Sequence, residues 1–312
     1  MPGIGVVVNP HAGANRSGGH ERVELLGDVV GADGVVRVTQ SVAAIEDVAR
    51  EFRERGTQVL AICGGDGSYH CTLTGFRTVY GDAPLPLLLP LWAGTINYIA
   101  HAIGSRRGRP EHVLARVVRD YRRGLPFETT ERDLLRVNGR EHGFVLSFGT
   151  AVNYLRAYYA LEKQGPFHAA RLLTRMILSA VAGTHISRAV FQSVGADVEC
   201  DGDPVPFRQF TFFFAATVDR IALGFRPTYL GTRKRGFCHV LGGPIPAVRL
   251  IRRALRVYRG FPTGEPLLFD NLAQRLVIRF HRPEYWMLDG DILPPTDRLE
   301  VDVGCRVTLI CG

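Results

Sequence analysis

Between the apolar run Val59 to Ile62 and a helically spaced segment that reaches Val79 lies Gly64-Gly65-Asp66-Gly67-Ser68, whose residue types suit phosphate chemistry. Strand, glycine loop and helix in that order make a phosphate cradle. Glycines without a Cβ let backbone N–H groups come close to an anion, so Gly64, Gly65 and Gly67 are expected at positive φ. The helix that follows turns its positive end toward the same point. Asp66 is out of place among anion-binding amides unless a cation or a hydroxyl is also present. It suggests a phosphate that arrives with Mg2+, or a nucleotide hydroxyl in need of an acceptor. An ordinary strand-to-helix turn is the competing reading, yet three glycines around one aspartate exceed what such a turn needs. A Walker-type site is excluded here, because there is no GxxxxGK[ST] and no lysine precedes Lys163.

The elements that must hold this loop alternate through the first third of the chain. Ile4 to Val8 reads as a β-branched strand ending in the turn-rich Asn9-Pro10-His11-Ala12-Gly13, and Glu21 to Val30 reads as a helix. Val35 to Val38 is a second strand leading into Thr39, after which Ile45, Val48, Ala49 and Phe52 form a helical apolar stripe. Leu85 to Leu91 is a fourth strand ending in Ala93-Gly94-Thr95. Thr95 is expected to cap a helix through Ala102, with Gly104 as its stop. Pro110 to Arg123 closes the region as a helix. Such alternation means a parallel sheet, whose ligand lies at the C-terminal strand ends. Asn9, Thr39, the glycine loop and Thr95 all fall there.

From about Glu128 the texture becomes β-rich. Runs at Leu134 to Val137, Phe144 to Phe148, Val190 to Val194, Phe210 to Val218, Gln274 to Phe280, Tyr285 to Leu288, Leu299 to Val303 and Arg306 to Ile310 read as strands. Asn138-Gly139, Asp201-Gly202 and Asp289-Gly290 punctuate them as turns. Two helices interrupt, around His168 to Ala182 and Ala247 to Arg259. The expected domains are 1–127, α/β, and 128–312, β-rich.

At 312 residues, 46% hydrophobic and 22% charged, the chain packs as a globular protein of two domains. Of its 38 basic residues all but Lys163 and Lys234 are arginines, which suit phosphate and acidic surfaces but also follow from a GC-rich genome. Six cysteines without a CxxC pair or metal spacing point to reduced, partly buried thiols and a cytoplasmic protein. The N-terminus lacks a basic leader, and no run of 18 apolar residues occurs, so a secreted or membrane-spanning protein is not expected. In Ala247 to Arg259, Val248, Ile251, Leu255 and Tyr258 recur at helical spacing among Arg249, Arg252, Arg253, Arg256 and Arg259. The stripe is expected to pack on the sheet and turn the arginines outward. That face is either simply solvated or a surface for anionic headgroups.

Asn9-Pro10-His11-Ala12-Gly13, the glycine loop, the Leu89 to Ala100 segment and Asp289-Gly290-Asp291 together resemble the four signatures of the diacylglycerol kinase catalytic family. That family includes bacterial lipid kinases and sphingosine and ceramide kinases, and is related to NAD kinases. The resemblance implies a Rossmann-like nucleotide domain followed by a β-sandwich, with ATP and Mg2+ as cofactors. Carried over by motif, Asn9, Thr39, Gly64, Gly65, Asp66, Gly67, Ser68, Tyr69, His70, Gly94, Thr95 and Asn97 would meet the nucleotide. Asp66 and Asp291 would be the catalytic carboxylates, Asp291 as general base. By itself Asp289-Gly290-Asp291 reads equally as a hairpin turn.

The chain departs from the family pattern in places. Ala12 stands where a serine is usual, and Tyr98 where an acidic residue often follows the motif asparagine. Asp291 replaces a glutamate and shortens the reach by about 1.5 Å, one carbon–carbon bond. An acidic pair that helps hold a structural metal reads Lys234-Arg235-Gly236, which leaves the metal ligands unassigned. His70 and His101 read as helix-face residues. The expected activity is ATP-dependent phosphorylation of a hydroxyl on a diacylglycerol-like or sphingoid lipid, by a cytoplasmic protein peripheral on the inner membrane face. A soluble NAD kinase-like enzyme and a nucleotide-binding protein without catalysis are the alternatives. No nucleic-acid partner is expected, and the oligomeric state is left open.

Overall fold

The computed structural model describes residues 3–10, 12, 19–39, 41–94, 97–162, 165–182, 190–221 and 224–311. Two compact units divide the chain: Met1–Arg132 with Cys305–Gly312, and Asp133–Gly304.

In the first unit β1 (Ile4–Val8), β2 (Gly34–Val38), β3 (Val59–Gly64) and β4 (Leu87–Trp92) are parallel, in the order β4-β3-β1-β2. Leu309, near the end of the C-terminal strand, pairs with Leu88. Every residue of β1 and β3 is buried, as strands covered on both faces must be. Ile4, Val6 and Val8 share a core with Leu26 and Val30 of α1 (Gly19–Val30) and with Val113, Leu114 and Val117 of α5 (Pro110–Arg122). The opposite face meets α2 (Val42–Glu54) and α3 (Asp66–Tyr80): Phe52 lies so close to Gly5 that a Cβ there would come within 2.2 Å of its ring. Phe52 and Phe76 then pack edge to face at 5.9 Å.

Local chemistry sets where these helices begin. The Ser41 hydroxyl accepts from the Ala44 N–H at 3.2 Å and caps α2, and Pro110 opens α5. The helix expected from Thr95 starts later. α4 (Tyr98–Ala102) has Asn97 as its N-cap, in the left-handed region at φ 51°, and Thr95 lies outside the described residues. Gly104, at φ 70°, follows its end as expected.

β5 (Thr129–Val137) leads into the second unit. There β6 (Glu141–Gly143), β7 (Val145–Gly149), α6 (Thr150–Tyr159) and α7 (Pro166–Ala182) come first, then β8 (Val194–Cys200), β9 (Asp203–Pro204), β10 (Gln209–Phe210) and β11 (Phe212–Ala216). β12 (Cys238–Gly243), α8 (Ala247–Arg252), α9 (Ala254–Arg259), β13 (Phe269–Ala273), β14 (Arg275–Leu288) and β15 (Asp291–Ile310) complete it, the last eight residues of the chain counting with the first unit. The order is β13-β12-β11-β7-β14-β15, antiparallel throughout. β14 joins two layers. Its first half pairs with β8 and its last residues with β7, across irregularities between Arg279 and Trp286. The core lies where these layers meet, with Phe148 stacked on Phe213 at 4.7 Å and edge-on to Phe210 and Phe280.

The β-rich second domain is thus present, with corrections to its elements. The strand expected at Val190 to Val194 lies instead at Val194–Cys200, where burial alternates along a glycine- and aspartate-containing segment. Two pairs of expected strands are single long strands, β14 and β15. β12, with two glycines and a histidine, β13, with three polar-flanked apolar residues, and α6, which follows β7 without a break, carry little periodicity to announce them. The Ala247 to Arg259 helix is interrupted at Arg253, and its apolar stripe does not pack on the sheet: Val248, Leu255 and Tyr258 are exposed. All six cysteines are thiols rather than disulfides, and burial pushes the Cys200 thiol up to about 12. Among the described residues no helix is long and apolar enough to cross a membrane.

The expected turns share one device. Asn138, Asp201 and Asp289 have φ of 50°, 54° and 50°, each followed by a glycine at positive φ. Each side chain accepts backbone N–H groups of a neighbouring segment: Asn138 from Glu300, Asp201 from Gln274 and Arg275, and Asp289 from Phe144 and Val145. Only Asp289 does so fully buried. Asp289→Ala strands two buried donors and is expected to cost about 2 to 4 kcal/mol. Asp201→Ala, at an exposed turn, should cost less than about 1 kcal/mol, water replacing the carboxylate. Urea unfolding of the two variants measures the difference, and equal costs would refute the clamp.

Candidate functional site

In the first unit β1 lies between β2 and β3, so the chain leaves it in opposite directions on its two sides. In such a sheet the crevice beyond the strand ends at this point is the place for a ligand. Three hydrogen bonds draw the expected loops together here. The Asn9 N–H donates to the Cys63 carbonyl at 3.0 Å, the Thr39 N–H to the Val8 carbonyl at 3.0 Å, and Asn9 Nδ2 to the Ser68 hydroxyl at 2.9 Å. Asn9, Thr39 and the Gly64–Ser68 loop therefore stand together.

Gly64 and Gly94 are needed for space, and none of the loop glycines is at positive φ. Gly65 has φ −84° and ψ −178°, an ordinary extended conformation, and neither Gly64 nor Gly67 is among the described glycines at positive φ. A Cβ on Gly64 would lie 2.3 Å from the Ser68 hydroxyl, and one on Gly94 would lie 2.6 Å from the Gly65 Cα. Asn97 holds this second approach: its Nδ2 donates to the Gly94 carbonyl at 2.6 Å, and its Oδ1 accepts the Gly94 N–H at 2.8 Å. A Cβ on Gly65 is different. It would meet only the Gly94 Cα, at 3.6 Å, so neither backbone conformation nor packing demands glycine.

α3 begins immediately after, with Gly65 as its N-cap and no side-chain cap. The Ser68 N–H reaches back to the Gly65 carbonyl at 2.9 Å. The positive end of a 15-residue helix thus opens beside bare glycine backbone, which suits a phosphate group. Asp66 lies in the first helical turn and is buried, a hard oxygen donor of the kind Mg2+ takes. Tyr69 is fully enclosed, and burial, then the Asp66 charge, holds its phenol well above its ordinary pKa. His70 is buried as well. His101 stacks edge-on against Trp92 at 4.8 Å. Thr95 lies outside the described residues.

In the second unit the Asp289-Gly290 turn joins β14 to β15, and Asp291 is the first residue of β15, half-buried and paired with Leu288. The buried Asp289 clamp fixes this hairpin against β7, and the Tyr159 hydroxyl donates to the Gly290 carbonyl at 3.2 Å. Asp289 builds the turn, and Asp291 follows it at the start of β15.

The sequence of residues 3–126 matches the family model of the diacylglycerol kinase catalytic domain. Residues 3–126 belong to that family. Its span covers β1 to α5, including the whole Asn9, Thr39 and Gly64–Ser68 constellation. A diacylglycerol kinase structure from Bacillus anthracis strain Sterne is similar over 100% of this chain and 97% of its own, with TM-score 0.65 at 15% identity. Two more structures from that strain, assigned as diacylglycerol kinases, have TM-scores of 0.68 and 0.67 at 13% and 14% identity with the same coverage. At such identities they speak for the fold. No curated protein matches.

Against the family pattern, the loop at Lys234-Arg235-Gly236 is held by Asp133, whose Oδ2 accepts the Gly236 N–H at 2.8 Å, and Lys234 sits 3.5 Å from the Phe237 ring centre. With a lysine and an arginine in place of the acidic pair, this loop does not fit a structural cation. Sequence reasoning missed the loop-shaping roles of Asp289 and Asn97, naming Asn97 as a nucleotide contact. The Asp-Gly dipeptide signalled the first only as a turn, and nothing in the local sequence reported its burial. One further polar cluster is internally satisfied. His239 Nε2 lies 2.7 Å from Asp270, which also accepts from the Tyr229 hydroxyl at 3.0 Å, while Nδ1 accepts the Leu230 N–H at 3.4 Å.

Proposed function

We propose that this protein is an ATP-dependent lipid kinase that phosphorylates a hydroxyl of a diacylglycerol-like or sphingoid lipid, working from the cytoplasmic side. The observation that carries this is the bare backbone at Gly65, ahead of an α3 N-terminus with no side-chain cap, in a segment of the diacylglycerol kinase catalytic family. A glycine that neither φ nor packing requires is explained by a ligand in the space a side chain would fill.

Bound ATP supplies the phosphoryl group, and Mg2+ spreads the charge on its oxygens. The protein's own residues do the rest. Amides at the start of α3 and the Gly64–Gly65 backbone hold phosphate oxygens, and the Asn9–Ser68 hydrogen bond keeps the β1 and β3 loops in register for them. Thr39 and Thr95 line the nucleotide, and Gly94, set by Asn97, keeps the opposing loop close. Asp66 is the residue that would hold Mg2+. Asp291 takes the proton of the acceptor hydroxyl on its carboxylate as the phosphoryl group arrives.

Incubation with γ-labelled ATP, Mg2+ and a total lipid extract tests the reading. The expected product is one labelled class of phosphorylated glycerolipid or sphingoid lipid in the organic phase. ATP bound without label entering any lipid would overturn it.

A further inference from the structure

Seven of the eleven large hydrophobic side chains exposed among the described residues lie in two helical segments of the second unit: Tyr159, Phe167, Leu178, Val248, Leu255, Tyr258 and Phe261. These segments form one layer, since α6 packs on α7, α7 packs on α8, and α8 continues into α9. The same layer carries the charge of the chain. Residues 150–182 and 246–265 hold nine basic and two acidic residues, a surplus of seven, against a net +8 for all 312 residues. The remainder is close to neutral.

The two features are interleaved. On α7, Phe167, Arg171, Arg175 and Leu178 fall at helical spacing and are all exposed, while Ala169, Met176 and Ala180 are buried on the other side. On α9, Leu255, Arg256, Tyr258 and Arg259 are exposed, and only Val257 is buried. Some arginines have local tasks. Arg253 and Arg249 hold Glu265 at 2.8 and 3.9 Å, and Arg256 donates to the Pro262 carbonyl at 3.1 Å, which fixes the turn that presents Phe261. Arg252 and Arg259 have no carboxylate partner among the described residues, and both are exposed.

We propose that this layer, α6 to α7 with α8 to α9, is the surface by which the protein attaches to an anionic bilayer. Guanidinium groups meet headgroup phosphates, and Phe167, Leu178, Leu255 and Phe261 enter the boundary between headgroups and acyl chains. Both halves of the pattern are needed for this assignment. A solvated basic face has no use for exposed Phe167 and Leu178, 72% and 63% accessible, and an apolar protein interface has no use for a charge surplus of this size. The inference gives a purpose to the lipid-kinase reading and rests on it for that purpose alone, because the surface is tested without nucleotide or acceptor.

The experiment is sedimentation with vesicles of phosphatidylglycerol and phosphatidylcholine, compared with phosphatidylcholine alone, at low and high salt. Two variants are used. Arg252→Glu with Arg259→Glu spares the Glu265 pairs, and Leu255→Ser with Phe261→Ser leaves the charge unchanged. Wild type is expected on the anionic vesicles only, and less at high salt. The charge variant should bind at least about 30-fold more weakly, a factor of about five for each arginine lost and more for the reversed sign. The apolar variant should bind about tenfold more weakly or less still, since insertion is lost. Both should keep wild-type circular dichroism, melting temperature and phosphorylation of detergent-dispersed acceptor. Vesicle binding unchanged in both variants overturns the proposal. So does a wild-type dimer that the apolar variant splits in the absence of vesicle binding, or retention on nucleic acid in place of vesicles. If instead vesicle binding behaves as expected and no lipid is phosphorylated, the surface stands and the kinase reading fails.

Discussion

Asp291→Asn is expected to lower kcat by about 10² to 10⁴ and to leave the Kd for ATP unchanged. The change replaces a proton acceptor by an amide of nearly the same shape. Nothing that builds the hairpin is touched: the turn is set by Asp289 and Gly290 at positive φ, by the carboxylate of Asp289 on Phe144 and Val145, and by Tyr159 on the Gly290 carbonyl. A fall in turnover without a fall in stability therefore isolates proton transfer. Asp291→Glu is the informative partner. It lengthens the reach by about 1.5 Å, to the residue the family usually has, and should keep activity within about tenfold of wild type. Full activity in Asp291→Asn reduces Asp291 to a turn residue and requires another base.

Gly65→Val is expected to weaken ATP binding at least about 100-fold with little change in stability. Two charge-assisted hydrogen bonds to phosphate, at about 1.5 to 3 kcal/mol each, are enough for that loss. The fold should tolerate the change, because φ −84° with ψ −178° is extended backbone that valine favours, and the new Cβ meets only the Gly94 Cα, at 3.6 Å. Its methyl groups fill the space left for the ligand. Gly64→Ala makes the contrast: its Cβ would fall 2.3 Å from the Ser68 hydroxyl, so the loop itself must shift and the melting temperature should drop. Calorimetric titration of ATP together with thermal unfolding separates the two. Wild-type affinity in a folded Gly65→Val protein would remove the phosphate cradle from the account.

The first domain was legible because its signals are redundant. β1 and β3 are continuous apolar runs, β-branched in β1, closed by Asn9 and by glycine, and α5 starts on Pro110. The converging loops followed from the parallel order alone. What failed there was local: the glycines of the loop were expected at positive φ, whereas the structure uses Gly64 for close approach to Ser68 and Gly94 for close approach between the two loops. Close approach is a tertiary fact and leaves no mark on spacing. In the second domain the turns were legible, since an asparagine or aspartate before glycine has a local cause. β12 and β13 were not, because their place is decided by burial of His239 and pairing across the sheet rather than by alternation. The arginine-rich helix misled for a related reason. Helical spacing finds a stripe, but not which side of it meets the core.

Side-by-side phosphoryl transfer from ATP and Mg2+ to detergent-dispersed diacylglycerol and to NAD is the most direct measurement of the central claim. The account predicts a phosphorylated lipid formed by wild type, strongly reduced in Asp291→Asn and absent in Gly65→Val, with no phosphorylated NAD. Phosphorylated NAD without a lipid product, or ATP binding with turnover on neither acceptor, would contradict it.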